Sequence, residues 1–167
     1  MLKESKIFKD NLSSFLETIN NAYFEYIDCD IDDAPQFDKK SLIFDFVYCN
    51  SITMITSQGN FTVQTVTDSE GSDTFWIVPT KAKVKSDLRI EIRSSLLQSD
   101  FTESKYKLPY KLRFKFNNIV VLLYAAEIYD TWTNGCDYKA NDEMILLFQN
   151  EQDAIKFEGL LNHGNMS

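Results

Sequence analysis

The sequence predicts an α+β fold: a twisted antiparallel sheet of about seven strands, barrel-like or open, packed against an N-terminal and a short C-terminal helix. Three observations lead there. Apolar residues near the start recur at helical spacing, most of the middle alternates with a period of two, and strands never alternate with helices as parallel crossovers require. The 167 residues, 44 % apolar with 13 Phe and 8 Tyr, hold material for one core, so a single domain over residues 1–167 is expected.

Phe8, Leu12, Phe15, Leu16, Ile19, Tyr23, Tyr26 and Ile27 follow one another at mostly three- and four-residue steps, which predicts an amphipathic helix over residues 4–27. It is expected to stop in an acidic loop, Asp28-Cys-Asp-Ile-Asp-Asp-Ala-Pro35, since Pro35 cannot continue a helix. From Ser41 the period becomes two: Leu42, Phe44, Phe46 and Tyr48 face one way, and Ile52 and Met54 continue the pattern. Ser57-Gln-Gly-Asn60 reads as a hairpin turn into Phe61, Val63 and Thr65, and residues 67–73 as a longer loop before the strand Thr74–Val78.

Within residues 86–98, Leu88, Ile90 and Ile92 alternate as a strand does while Leu96 and Leu97 also suit a short helix; a strand followed by a loop is expected. Leu112, Phe114 and Phe116 form the next strand, and Asn117-Asn118 suit a two-residue turn with positive φ angles. The apolar run from Ile119 to Tyr129 reads as a central strand. Asn134-Gly135 marks a turn and Met144–Phe148 a last strand. Asn150 is placed to cap a closing helix with Asp153 in its first turn.

Charge is distributed unevenly. Between Lys81 and Lys115 ten Lys and Arg stand against four Asp and Glu, giving +6, while residues 1–80 carry −8 and residues 116–167 carry −6. The net charge of −8 opposes long-range attraction to nucleic acid and anionic lipid and favours a basic partner. Cys29, Cys49 and Cys136 lack Cys-x-x-Cys spacing, as expected of reduced thiols in a cytoplasmic protein. Met1-Leu-Lys-Glu-Ser-Lys leads into charged helix and the longest apolar run is too short to span a bilayer, so neither export signal nor membrane anchor is expected.

The common catalytic plans find little to use. His163 is the single histidine, which leaves cysteine and serine chemistry with one candidate base, and Gly-x-Ser-x-Gly does not occur. The acids from Asp28 begin like a calcium loop, but its sixth position is Asp33 where Gly is needed and its twelfth is Lys39 where Glu is needed. Asp100, Glu103 and Lys105 are the residue types of a metal-dependent nuclease, set in a predicted loop. No cofactor and no metal is expected, and the chain reads as a non-enzymatic protein. A carboxylate-only enzyme would instead need an enclosed pocket lined by residues such as Glu127 or Asp45. Glu127 interrupts an apolar run, so either it turns inward and needs a cation or a raised pKa, or the strand bends to solvent there and places Glu127 and Tyr129 on opposite faces.

Two surface readings follow. In the first, the protein is an inhibitor or immunity-type protein, an antitoxin, whose carboxylates cap a basic partner such as a nuclease toxin. Asp28, Asp30, Asp32 and Asp33, or the aromatic and acidic stretch with Asp130, Trp132, Asp137 and Tyr138, would carry recognition. In the second, segment 81–115 binds nucleic acid or a phosphorylated ligand through Lys83, Lys85, Arg113 and Lys115, with Trp76, Tyr106 and Tyr110 nearby for stacking. That reading requires the four cations to share one exposed face.

Overall fold

In the computed structural model, which describes residues 2–32, 42–82, 84–130 and 136–160, the chain is α+β: a curled antiparallel half-barrel with a helix at each end. The order is α1 (Leu2–Thr18), β1 (Tyr23–Ile31), β2 (Val47–Thr56), β3 (Gly59–Thr67), β4 (Asp73–Pro79), β5 (Leu88–Ser95), β6 (Gln98–Glu103), β7 (Pro109–Lys115), β8 (Val120–Asp130), β9 (Cys136–Phe148) and α2 (Glu151–Glu158). Strands neighbour one another as β4-β3-β2-β9-β8-β7-β6, and β1 lies between β2 and β5.

The first helix is shorter than its apolar spacing predicts. Asn21 takes a left-handed φ of 63°, a conformation Asn tolerates, and the amide of Ala22 bonds back to Ile19. The chain turns there, and Tyr23–Ile31 is a strand, not the end of a helix. Tyr23, Tyr26 and Ile27 fit a three-four pattern only because a register shift between Phe24 and Tyr26 breaks the strand period. Consequently Asp28 and Asp30 stand on β1 and not in a loop.

Among the described residues nine strands replace about seven, and the additions are β1 and β6. Strand β6 has no apolar rhythm because it is an edge strand exposed at every second residue, with Phe101 its one large apolar side chain. Leu42–Phe46 precede β2 without joining the sheet; Phe44 and Phe46 pack instead on Phe148 at 6.0 and 5.8 Å between ring centroids. The turn through Asn117-Asn118 forms, closed by Phe116 N–H to Ile119 O at 2.9 Å, but neither Asn has positive φ. Strand β8 lies between β7 and β9, as its apolar run predicts. Asn134-Gly135 lies outside the described residues.

Alternation sends side chains to two cores. The concave face gathers Phe24, Ile27, Ile52, Met54, Val63, Phe75, Ile90, Leu112, Phe114, Leu123 and Leu147 around Leu12, Phe15 and Ile19 of α1. The other face of β8 and β9 presents Leu122, Tyr124, Ala126, Leu146 and Phe148 to Ala154 and Phe157 of α2. Asn150 caps α2 as expected, its side-chain oxygen accepting Gln152 N–H at 2.8 Å. Helix α1 also seals a sheet edge. The Asn11 amide donates to Ile77 O at 3.0 Å and accepts Ile77 N–H at 2.9 Å, completing both backbone groups of that residue on β4.

Candidate functional site

Strand β9 makes the most unusual local departure in the sheet. Ala125 opposes Ile145 and Ala126 opposes Ala140, so residues 141–144 bulge out of the β8–β9 ladder. Asn141 begins the bulge with φ 60° and is itself buried. Its side-chain NH2 donates to Asp73 O at 3.0 Å and Pro109 O at 3.3 Å, pinning the bulge against the starts of β4 and β7. Its neighbours Asp142 and Glu143 are thereby held beside Asp73 of β4 and Glu127 of β8.

These carboxylates form one electrostatic unit beside a groove. Asp32, Asn50, Thr65, Thr67, Asp73, Glu143 and Met144 line an open groove of about 320 Å³, its wall tied by Thr65 Oγ1 donating to Glu143 O at 2.6 Å. Burial and then the nearby Asp142 raise the pKa of Asp73 against the hydrogen bond from Thr67. Glu127 is raised as well, first by burial, then by the charge of Asp142 and by a hydrogen bond between the two carboxyls. Lys139, opposite Glu127 in the ladder and 3.8 Å from Asp142, offsets part of this charge. Glu127 is therefore half-buried with an elevated pKa, and Tyr129 shares its face because the ladder runs unbroken from Ala126 to Asp130.

A carboxylate held above its unfolded pKa stabilises the fold while protonated, and that contribution is lost as pH rises through the folded value. Glu127→Gln, which fixes the neutral form, is therefore expected to raise the melting temperature at pH 7. The gain should shrink as pH falls towards the ordinary value of 4.5. Thermal unfolding across that range checks it; a gain independent of pH would mean that Glu127 does not carry the shifted proton.

The sequence-derived residues separate into different environments. Asp28 is buried, and Arg89 bonds both its oxygens at 2.9 and 3.3 Å while lying 3.8 Å above the Tyr26 ring. It is a compensated ion pair and not a recognition acid. Asp30 sits 3.8 Å from Lys85. Asp32 does line the groove. Asp137 is buried on β9, accepting Tyr138 N–H at 2.7 Å and the Tyr129 hydroxyl at 3.3 Å. Tyr138 is buried against Phe157, its ring centroid 4.4 Å away. Neither offers a contact surface, because β9 extends through positions read as loop. Asp130 ends β8, and Asp33 and Trp132 lie outside the described residues.

The cationic segment does not assemble either. Lys85 pairs with Asp30 and Asp87 near one end of β1, whereas Arg113 pairs with Glu151 of α2 at 3.3 Å and Lys111 with Glu158 at 2.9 Å. Lys115 is exposed at the end of β7 and Lys83 lies outside the described residues. Trp76 packs edge-on to Phe8 of α1 and Tyr110 is buried, so these two aromatic residues near the segment are structural.

Other chemistries find their residues dispersed. Cys29 and Cys49 are buried, and the hydrogen bond that the Cys49 thiol shares with Cys29, together with burial, raises the Cys49 thiol, the reverse of what a nucleophile needs. Glu103 pairs with Lys9 of α1 at 3.6 Å, and Asp45 lines a separate cleft of about 130 Å³ beside α2. Among the described residues no group of three or more His, Cys, Asp or Glu is placed to hold a metal ion, and no helix is long and apolar enough to cross a membrane. No protein-family model matches the chain, and no curated protein or solved structure matches it.

Sequence reasoning missed Asp73, Asp142 and Glu143 as a group because they are separated by about seventy positions and meet only through the β9 bulge. Glu127 was visible as a charge inside an apolar run.

Proposed function

We propose that the protein is a non-enzymatic binding protein whose acidic groove receives a cationic segment of a basic partner, as an inhibitor or immunity-type protein would. The observation that supports this is the convergence of Asp32, Asp73 and Glu143 on one open groove, with Asp142 beside Asp73 and Glu127 beside Asp142. Like charges crowded there oppose one another in the free protein, and a Lys- or Arg-bearing segment relieves that repulsion on binding. A partner that presents such a Lys- or Arg-bearing segment, as a nuclease toxin or another nucleic-acid-handling protein does, is the class that fits. Association steered by charge is fast and weakens as salt screens it beyond roughly 8 Å at physiological ionic strength.

Affinity capture with the tagged chain from its source cells, eluted in a salt series and identified by mass spectrometry, tests the reading. A stoichiometric basic protein that leaves as salt rises is the expected result. Retention of nucleic acid in its place would transfer recognition to the cations of segment 81–115, and a small molecule or nothing retained would remove the inhibitor reading.

A further inference from the structure

We propose that β5 is an edge through which two copies of this chain pair, antiparallel about a two-fold axis at Ile90, at a surface separate from the acidic groove. Among the described residues the sheet has three edges. That of β4 is bonded by Asn11 at Ile77 and by Asn141 at Asp73. That of β6 spans six residues, and its ladder with β7 loses register between Thr102 and Glu103. Strand β5 spans eight residues, and among the described residues it pairs with β1 alone. An unpaired strand edge is a template for another strand.

What chooses a second copy over another partner is the charge sequence of β5 and the residue before it. In the register centred on Ile90, Asp87 opposes Arg93 of the second copy and Arg89 opposes Glu91, contacts these side chains would share with their pairs inside each copy, Asp87 with Lys85, Arg89 with Asp28 and Glu91 with Arg93. The two-fold axis repeats both pairs, so all four facing contacts are between opposite charges. Leu88 meets Ile92 and Ile90 meets its own counterpart, so apolar side chains also face their like. A shift to a centre at Glu91 would put Glu91 against itself and Arg89 against Arg93. A centre at Arg89 would put Arg89 against itself and Asp87 against Glu91. An axis between residues would set outward side chains against inward ones. Directly opposed like charges are unfavourable and opposite charges favourable, so the strand selects one register with itself.

Exposure agrees with this arrangement. Arg89, Glu91 and Arg93 are exposed and alternate with buried Ile90, Ile92 and Ser94. The left-handed residue Arg93, φ 48°, lies in a bulge that interrupts the β1 ladder between Glu91 and Ser94, and pairing with β1 resumes at Ser94 and Ser95. Asp87, Arg89, Glu91 and Arg93 sum to zero charge, so the contact adds no local repulsion to chains that each carry −8. Beside the edge, Tyr23, Tyr26 and the charged residues Arg89, Glu91 and Arg93 line a groove of about 400 Å³ on the outer face. One strand pair is a narrow interface, below the roughly 1,000 Å² of a stable complex, so the dimer is weak and concentration-dependent.

Sedimentation equilibrium on the whole chain tests this. The wild type is expected to rise from a mass of 19.4 kDa towards twice that value with concentration. Glu91→Lys, an exposed change that sets a lysine against Arg89 of the second copy, should weaken association about tenfold. The decisive arm mixes two variants. Asp87→Lys and Arg93→Asp each place like charges across the axis with themselves, yet complement each other, so the mixture should associate more strongly than either alone. Asp also suits the left-handed angle at position 93. A chain monomeric at every concentration overturns the proposal, as does a dimer that Glu91→Lys leaves unchanged or a mixture no stronger than its components, which would place any contact elsewhere.

Discussion

Phe157→Ala should destabilise the protein by about 3–5 kcal/mol, the usual cost of emptying a buried aromatic site. Helix α2 has eight residues, too few to hold together in water without tertiary support. Its anchor is Phe157, fully buried, with ring centroids 4.4 Å from Tyr138, 4.8 Å from Tyr124, 5.3 Å from Phe148 and 5.9 Å from Phe44. Polar ties at the rim depend on that seating: the Tyr124 hydroxyl donates to Glu158 at 2.6 Å, and Lys111 reaches the same carboxylate. Removing the ring empties the centre of the second core and releases the residues that bridge Phe44 to the sheet. Against a total stability of about 5–15 kcal/mol for a natural domain, the loss is large. Ile155, 58 % exposed on the same helix, is the control. Ile155→Ala should stay within about 0.5 kcal/mol in urea unfolding. Equal costs at the two positions would show that α2 is not seated through Phe157.

Where the chain's pattern and its structure agree, the burial of each element's faces decides both. Strands β5 and β7 alternate because their inward residues enter the α1 core while outward residues meet solvent or α2, and β8 is apolar up to Glu127 because it is buried on both faces there, so both patterns are written directly in residue order. The hidden strands fail this test for separate reasons. In β1 the register shift after Phe24 brings Tyr26 and Ile27 to spacings that imitate a helix, and the stop signal was the Asn20-Asn21 pair. In β6 the edge position leaves polar residues in alternate exposed places, so nothing apolar repeats.

The site was less legible than the fold because charge in sequence says nothing about compensation in space. Asp28 looked unpaired until β5 brought Arg89 across the ladder from it, and Arg113 and Lys111 looked like part of a cationic face until α2 folded over them. Asp137 and Tyr138 looked like loop residues because β9 carries its apolar run only at its end, after the bulge. Asp32 survives as a groove residue. The remaining acids depend on one backbone irregularity, the positive φ of Asn141, which no local pattern announces.

Neutralising the groove should change binding and stability in opposite directions. In the triple variant Asp73→Asn, Asp142→Asn, Glu143→Gln, removal of three like charges lowers mutual repulsion, so the free protein should melt at a higher temperature than the wild type at pH 7. The same change removes the field that draws in a cationic segment, and steering of this kind is worth about 10–1,000-fold in association rate. The on-rate for the captured partner is expected to fall at least about tenfold at low salt, with the difference closing as salt rises, because screening weakens the wild type towards the variant. Stopped-flow or surface-based kinetics at several ionic strengths separates this from a packing defect, which would act through the off-rate and survive high salt. Asp28→Asn is the useful contrast: its carboxylate is buried under Arg89, so it should cost stability and leave the on-rate unchanged. Crowded carboxylates that are costly to keep in the free protein and valuable only in the complex are what a surface built for a basic partner requires. If the triple variant is stabilised and still associates at the wild-type rate in low salt, the partner binds elsewhere.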